Sequence, residues 1–354
     1  MHPIELGRTL IIVNPVAQSG KAAAAADRLG RFLALYSHDA SAFHVKRTER
    51  PRHATELAAA ASGFDTVLAL GGDGVVHEVA NGLMRIEPGT RPTLGVVPVG
   101  SGNDFARSLG LTDVADVSGT DFSPLLHSAP RPCDILRVAY GAADGAPGST
   151  AVEYALETVS FGLDAAIAMD THAMRRRTKL TGTPLYLASG LKTFGSGYRT
   201  FASTVRIDGE APRPLETIIF AVQNGATYGS GFRICPDADI SDGELDICYA
   251  TGPVPRAVAL PVFLSAKNGA HTASKHVHAM RAKRIELTLA EDGYPIQVDG
   301  ERLSARTLSI EVVPHAMTPR EALVDAVTRA RRVNRAPRRA RARHAPSLLR
   351  AVRA

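Results

Sequence analysis

The apolar positions of this chain fall into two textures. Over the first hundred residues, short apolar runs alternate with stretches of helical spacing. TLIIV (9–13) reads as a buried strand, Lys21 to Tyr36 as an Ala/Leu-rich helix and Ala42 to Val45 as a strand. His53 to Ala61 reads as a helix, Thr66 to Leu70 as a strand, Val75 to Arg85 as a helix and Leu94 to Val97 as a strand. Strand–helix alternation at this spacing predicts parallel strands with crossover helices, an α/β layered domain. After Pro132 the pattern shifts to strand-like runs separated by turn signals: ILRVAY, AVEYALETVS, ASTVRI, TIIFAVQN and ELDICYA, then RIELTL, PIQVDGERLS and TLSIEVV. One helical stretch, Pro184 to Phe194, interrupts them. This predicts a second, mostly β domain. The expected division is 1–135 for the α/β domain and 136–312 for the β-rich one. Residues 313–328 return to the first domain, with Thr318 to Ala330 read as helical, and 329–354 form a tail.

Three of the predicted parallel strands end in polar, glycine-bearing loops: NPVAQSGKA, GGDG and PVGSGND. Ligands of parallel sheets bind beyond the carboxyl ends of the strands. Gly71, Gly72 and Gly74 cost conformational entropy, which a backbone demand must offset. Close approach to a phosphate is one such demand, because bare N–H groups and a helix N-terminus present positive dipoles. A plain tight turn is the other reading.

Composition narrows the classes. Aromatics make up 5% of the 354 residues and Trp is absent, which disfavours a stacking surface for single-stranded nucleic acid. Cys133, Cys235 and Cys248 are scattered without a CxxC, as suits a reducing compartment and no thiolate metal site. No signal peptide or spanning segment is evident, so a cytoplasmic protein is expected. The net charge of +6 is not spread evenly. Residues 329–354 carry ten arginines and no acid, so the rest of the chain has a net charge of −4. The tail's Ala/Arg/Pro bias predicts disorder when free.

Candidate chemistry gathers on acids. Asp73 stands among the glycines at a strand end, where capping the next helix is the simpler role. Asp104 opens a predicted first turn. Asp134 begins a predicted strand, where Asp is disfavoured by propensity, and that mismatch favours a role. Asp-Gly-Glu recurs at 208–210, 242–244 and 299–301, each a hairpin-turn signal, with PIQV-DG-ERLS the cleanest. His77 and Glu78 read as cleft-lining or helix-capping, and the histidines of HTASKHVH (271–278) as a loop.

Taken together and in order, NPVAQSGKA, GGDGVVHEVANGL, PVGSGNDFAR, YGSGFRICPDADISDGELDI and QVDGE resemble the diacylglycerol kinase-like lipid kinases. That family includes the bacterial enzymes and the sphingosine and ceramide kinases. The resemblance spans roughly residues 9–313. It implies a nucleotide-binding core shared with NAD kinases, an active site in the cleft between domains, ATP as donor, Mg²⁺, and a lipid hydroxyl as acceptor. It assigns Gly71, Gly72, Asp73 and Gly74 to the nucleotide phosphates and metal, with Val75, Val76 and His77 in the same nucleotide-side stretch. Asn14, Gly20, Lys21 and Thr48 match nucleotide-side positions, and Ser101 stands where the family usually has Thr. Asp73, Asp104 and Asp134 match acids that hold the catalytic Mg²⁺. Asp242, with the backbone carbonyls of Asp239 and Glu244, matches a second, structural metal loop. Glu301 matches the general base. Gln18 replaces the usual first glycine of the first loop; where that position needs a positive φ, it must strain or the loop must shift.

The expected reading is therefore an ATP- and Mg²⁺-dependent lipid kinase, acting most simply on diacylglycerol or a related lipid. Its place would be peripheral to the inner face of the membrane, held to anionic lipid by the basic tail. The resemblance allows a homodimer. The alternatives are a sphingosine- or ceramide-type kinase, an NAD kinase-like small-molecule kinase, and a non-catalytic lipid- or nucleic-acid-binding protein.

Overall fold

The parallel half follows from its apolar runs. In the computed structural model, β1 (Thr9–Val13), β2 (Phe43–Arg47), β3 (Thr66–Gly71) and β4 (Thr93–Pro98) form one parallel sheet in the order β2–β1–β3–β4. Ile11 lies opposite both Val45 and Leu68. Every residue of β1 and β3 is buried, as strands covered on both faces require. Helix α1 (Lys21–Tyr36) covers one face through Ala22, Ala25, Leu29 and Leu33. Helices α2 (His53–Ala59) and α3 (Asp73–Leu83) cover the other through Ala54, Ala58, Val75, Val79 and Leu83. The short α4 (Asp104–Ser108) follows β4. The structure describes residues 6–36, 42–111, 122, 128–142, 150–175, 177–178, 180 and 182–322.

The β-rich half begins with β5 (Ser128–Pro130), β6 (Cys133–Ala142), β7 (Thr150–Ala155) and β8 (Thr158–Gly162). Two helices come next, α5 (Leu163–Arg175) and α6 (Gly182–Ser196), then β9 (Phe201–Ile207), β10 (Arg213–Gln223) and β11 (Leu245–Thr251). Helix α7 (Arg256–Ser265) leads to β12 (Val277–Ala282), β13 (Arg284–Leu289), β14 (Ile296–Val298), β15 (Glu301–Leu303), β16 (Ala305–Met317) and β17 (Arg320–Ala322). Among the described residues, eleven of these strands join in one antiparallel sheet. Its core includes a stack of Phe161, Phe220 and Tyr249, with ring centroids 5.2 and 5.6 Å apart.

Three expectations need correction. Among its described residues the β half carries three helices where one was read; α7 escaped notice because its apolar residues run on without an amphipathic break. The helix expected over 318–330 does not begin at its start. Pro319 bridges Leu94, and Arg320–Ala322 pairs with Ser128–Pro130, because the edge of the first sheet offers unpaired backbone there. Residues beyond 322, the arginine-rich tail among them, lie outside the described residues. The HTASKHVH segment is not simply a loop: Ala270–Ala273 forms a 3₁₀ turn and β12 starts at Val277.

Candidate active site

The carboxyl ends of β1, β3 and β4 bring the three glycine-bearing loops together. The Asn14 amide donates to the Leu70 carbonyl at 3.3 Å, and the Val99 amide to the Gly71 carbonyl at 2.7 Å. Thr48 reaches the same edge, its amide 2.8 Å from the Val13 carbonyl. The second and third loops pack so closely that a Cβ on Gly100 would stand 2.5 Å from the Gly72 Cα. A Cβ on Gly102 would collide with Asp73 Oδ2. The glycines here answer a close approach of backbone to backbone and to Asp73, beyond any role in turning. In the first loop Gln18 adopts φ +51°, so the strained alternative is the one realised; Gly20 follows at +90°, and Lys21 opens α1 with its side chain exposed. A non-glycine residue held there costs roughly 1–2 kcal/mol.

Asp73 does not cap its own helix. Its two oxygens accept the amides of Asn103 at 2.8 Å and Asp104 at 2.9 Å, tying the GGDG loop to the start of α4. Burial, and then the adjacent charge of Asp104, push its pKa up to about 6 against the pull of those two donors. Asp104 in turn holds the β half. Its oxygens accept the amides of Ser230 at 2.9 Å and Gly231 at 2.8 Å, the Thr227 hydroxyl at 3.3 Å and an Arg107 N–H at 2.8 Å. Ser101 joins the same contact, its carbonyl accepting the Ser230 hydroxyl at 3.3 Å.

Glu301 comes to this place from the far end of the sequence. Asp299 and Gly300 both have positive φ, +49° and +91°, in a two-residue hairpin that sets Glu301 at the first position of β15. The nearest atom to a Cβ built on Gly74 is Glu301 Oε1, at 3.4 Å. The Glu301 side chain is exposed, and its carboxylate has no hydrogen-bond or ion-pair partner among the described residues. The hairpin is fixed by Asp299, whose carboxylate accepts the amides of Leu156, Glu157 and Thr158 at 2.7, 3.0 and 2.9 Å. Asp299 Oδ2 also lies 3.0 Å from His77 Nδ1, while His77 Nε2 lies 3.0 Å from Glu153 Oε1.

That arrangement corrects the nucleotide-side assignment of His77. The ring is buried and both nitrogens are committed to the β half, so it faces no open cleft. Burial alone would lower its pKa; the hydrogen bonds and charges of Asp299 and Glu153 outweigh burial and push it up to about 10. Val75 and Val76 also turn inward. Their side chains join the core and their amides bond the Gly72 carbonyl, which leaves Asp73 and Gly74 to offer the first amides of α3.

Asp134 is not with Asp73 and Asp104 in the role expected of it. It is wholly buried, and its carboxylate is spent on the amides of Gly243 at 2.6 Å and His315 at 2.8 Å. It organises the 239–244 loop. In that loop the acidic side chains are also engaged. Arg281 lies 3.4 Å from Asp242 Oδ2, 3.1 Å from Glu244 Oε2 and 3.2 Å from Asp246 Oδ1, and it donates to the Asp237 carbonyl at 3.1 Å. Asp239 turns instead to the Ser241 amide and hydroxyl. The Asp242 carboxylate that would bind a structural cation already faces a guanidinium, so its charge is met without a metal. No three His, Cys, Asp or Glu side chains converge in metal-holding geometry among the described residues.

The residue that sequence reasoning missed is Glu157, hidden inside a strand-like run. It lies at the break between β7 and β8, where Gly225 leaves room for it, and neither of its buried oxygens has a hydrogen-bond partner in good geometry. Burial drives its pKa well above the usual carboxylate range. The Ser108 hydroxyl offsets a little of this, and the charges of Asp104, Asp299 and Asp73 add to it. Burial therefore favours the neutral, protonated form of Glu157.

Beside it, α6, α7 and β11 enclose a cavity with almost wholly apolar walls, among them Tyr186, Phe194, Tyr228, Phe232 and Phe263. Tyr228 and Phe232 belong to the loop that Asp104 holds, and a Cβ on Gly229 would stand 2.5 Å from the Tyr186 ring.

An α/β nucleotide-type sheet, a GGDG loop facing a carboxylate from a β domain, and an apolar cavity alongside together define a phosphotransferase with an apolar acceptor. Comparison with known proteins carries this to a family. Residues 8–138 match the diacylglycerol kinase catalytic domain, and residues 157–319 the YegS C-terminal NAD kinase beta sandwich-like domain. A probable lipid kinase YegS-like of Pseudomonas aeruginosa is 30% identical over 263 residues, 73% of this chain and 77% of that protein. The diacylglycerol kinase of Bacillus subtilis is 29% identical over 69% of this chain and 73% of its own length. The chain belongs to the YegS-like and diacylglycerol kinase family of lipid kinases. Its fold is also that of a Bacillus anthracis diacylglycerol kinase structure, with a TM-score of 0.63 at 21% identity, covering 90% of this chain and 97% of that one. Yeast NADH kinase shares the fold more distantly, with a TM-score of 0.50 at 10% identity over 97% of this chain and 90% of that one.

Two outcomes follow from these contacts. His77 binds its proton more tightly folded than unfolded, so its contribution to stability is complete below about pH 6.5 and is lost as pH rises towards about 10. Thermal melts of wild type and His77→Gln should therefore converge between pH 7 and 10; a constant gap would refute the paired imidazolium. For the acidic loop, Arg281→Ala should cost about 1–2 kcal/mol, since it leaves three carboxylates facing one another. Mg²⁺ and EDTA should shift the melting temperature of wild type no more than that of Asp242→Asn, and a larger shift in wild type would restore the structural metal.

Proposed function

We propose that the chain transfers the γ-phosphoryl group of ATP to a lipid hydroxyl, with diacylglycerol or a related lipid as the acceptor. The observation that carries this reading is Glu301, an unpartnered carboxylate from the β domain aimed at Gly74. A general base must stand within reach of the hydroxyl it deprotonates, and here the hydroxyl would sit between Glu301 and the phosphates over the GGDG loop. The amides of Asp73 and Gly74 and the N-terminus of α3 offer positive dipoles to those phosphates.

The donor set suits Mg²⁺, a hard cation usually held by one or two carboxylates with phosphate and water completing its shell. Asp73, whose carboxylate accepts only two amides, would hold it, while Asp104, already bonded to Thr227, Ser230, Gly231 and Arg107, would fix the loop beside it. When bound, Mg²⁺ supplies charge neutralisation on the phosphates. The chain's own part is positioning: Asp299 and His77 fix the hairpin that carries Glu301, and Asp104 fixes the loop that borders the cavity.

The apolar cavity supports acyl chains as what the acceptor carries. It speaks against a nucleotide acceptor such as NAD, despite the fold shared with NADH kinase. Acyl recognition is apolar packing, and diacylglycerol and a long-chain base present the same kind of surface to these walls.

The test is label transfer from γ-labelled ATP to a panel of diacylglycerol, sphingosine, ceramide, monoacylglycerol, polyprenol and NAD. Label in a lipid phosphate is expected, and label in NAD alone would overturn the reading. Glu301→Gln should lower turnover by roughly 10²–10⁴ with ATP affinity and folding kept. The same change at Glu210, exposed and paired with Arg213 at 2.7 Å, should be nearly silent. Equal losses at both positions would remove Glu301 as the base.

A further inference from the structure

Helix α7, RAVALPVFLS, is apolar on nearly every face, yet Phe263 is its only buried residue. A helix apolar all round belongs in a core or against a partner. Val258 is 45% exposed and Leu264 41%; in and just before α6, Leu191 is 46% and Leu180 41% exposed. These four are half of the large exposed apolar side chains among the described residues.

The two helices form one surface. A Cβ on Gly190 would stand 2.8 Å from the Phe263 ring, and the Phe194 and Phe263 rings lie 5.8 Å apart. At one end Arg256 sits 5.8 Å over Tyr198; at the other Lys267 reaches the Thr183 hydroxyl at 3.2 Å. The helices therefore run antiparallel, and through Phe194 and Phe263 they form a wall of the apolar cavity.

Charge is sorted the same way. Residues 163–200 and 253–276 hold nine Lys and Arg against two Asp, a net of +7. The remainder of residues 1–328 then carries −11, since that stretch as a whole is −4. Of the two acids, Asp164 is buried and Asp170 is paired with Lys192 at 2.5 Å. Arg175, Arg177, Lys192, Arg256 and Lys267 are exposed.

We infer that the α6–α7 face is the surface by which this protein docks on an anionic lipid bilayer, with Leu191, Val258 and Leu264 entering the acyl boundary and the surrounding cations meeting the headgroups. Apolar side chains within a basic rim are the composition of an interfacial surface. The acidic remainder of the body is repelled by the same membrane, so the charge pattern sets the orientation as well as the attraction. A second copy of the chain is a poorer occupant, because a twofold contact would press two positive faces together. No helix among the described residues is long and apolar enough to span a bilayer. The surface serves the lipid-kinase reading, since an acceptor could pass from the bilayer into the cavity beneath these helices without crossing water.

The test uses the full chain with phosphatidylcholine vesicles, with and without phosphatidylglycerol. Wild type should sediment with the anionic vesicles. Leu191→Glu and Leu264→Glu should each weaken that binding about tenfold, whereas Leu35→Glu, on the 81% exposed position of α1, should not. Neither Leu191 nor Leu264 lines the cavity, so turnover of a short-chain soluble acceptor should be unchanged. The inference is overturned if both variants bind as wild type while removal of 329–354 abolishes binding. It is equally overturned if the variants only convert a dimer to a monomer. Absence of phosphoryl transfer by wild type to every lipid would sink the kinase reading and leave the vesicle result legible by itself.

Discussion

A carboxylate taken out of water must find its hydrogen bonds in the protein, and Asp299 and Asp104 find theirs across the boundary between the two sheets. Asp299 gathers three main-chain amides of the β7–β8 corner and the His77 ring of α3. Asp104, at the start of α4, gathers the amides of the 230–231 loop. Leaving any of these donors or acceptors unpaired would cost about 1–3 kcal/mol, so the relative placement of the halves is strongly specified. The site inherits that placement. Asp73 and His77 are one helical turn apart on α3, and Asp299 and Glu301 are two residues apart on the hairpin. The lock between His77 and Asp299 therefore sets where Glu301 stands over Gly74.

Much of this frame was legible in the sequence. The strands Thr9–Val13 and Thr66–Gly71 and the helix Lys21–Tyr36 lie where their apolar spacing put them, because burial on both faces, or on one helical stripe, leaves a clear period. The Asp-Gly of 299–300 read correctly as a hairpin, since two consecutive positive φ values are what that dipeptide tolerates. What did not show were contacts between residues far apart in sequence. Nothing near Asp242 announces Arg281, which reaches it across the β11–β12 pairing. Glu157 looked like any residue of a strand, and only folding reveals that it is buried with the Ser108 hydroxyl as its polar neighbour. Helix α7 was missed for a related reason: a helix that is apolar on nearly every side has no polar face to give it a period.

The same logic links the cavity to the surface above it. A kinase of lipids must bring a charged nucleotide and an apolar acceptor to one point, which calls for opposite environments a few residues apart. The Asp104-held loop lies between two such environments, with acids and glycines on one side and Tyr228 and Phe232 on the other. The segments that carry α5, α6 and α7 have a net charge of +7, and the rest of residues 1–328 a net charge of −11.

The most direct test of the account is a double-mutant cycle between His77 and Glu301 on phosphoryl transfer at saturating ATP and lipid. His77→Gln alone should slow turnover by about tenfold to a hundredfold through misplacement of Glu301. In the Glu301→Gln background the same change should cost little, because the group it positions is already gone. A cost of His77→Gln that is the same in both backgrounds would show that the lock between the sheets supports folding and does not set the geometry of the base.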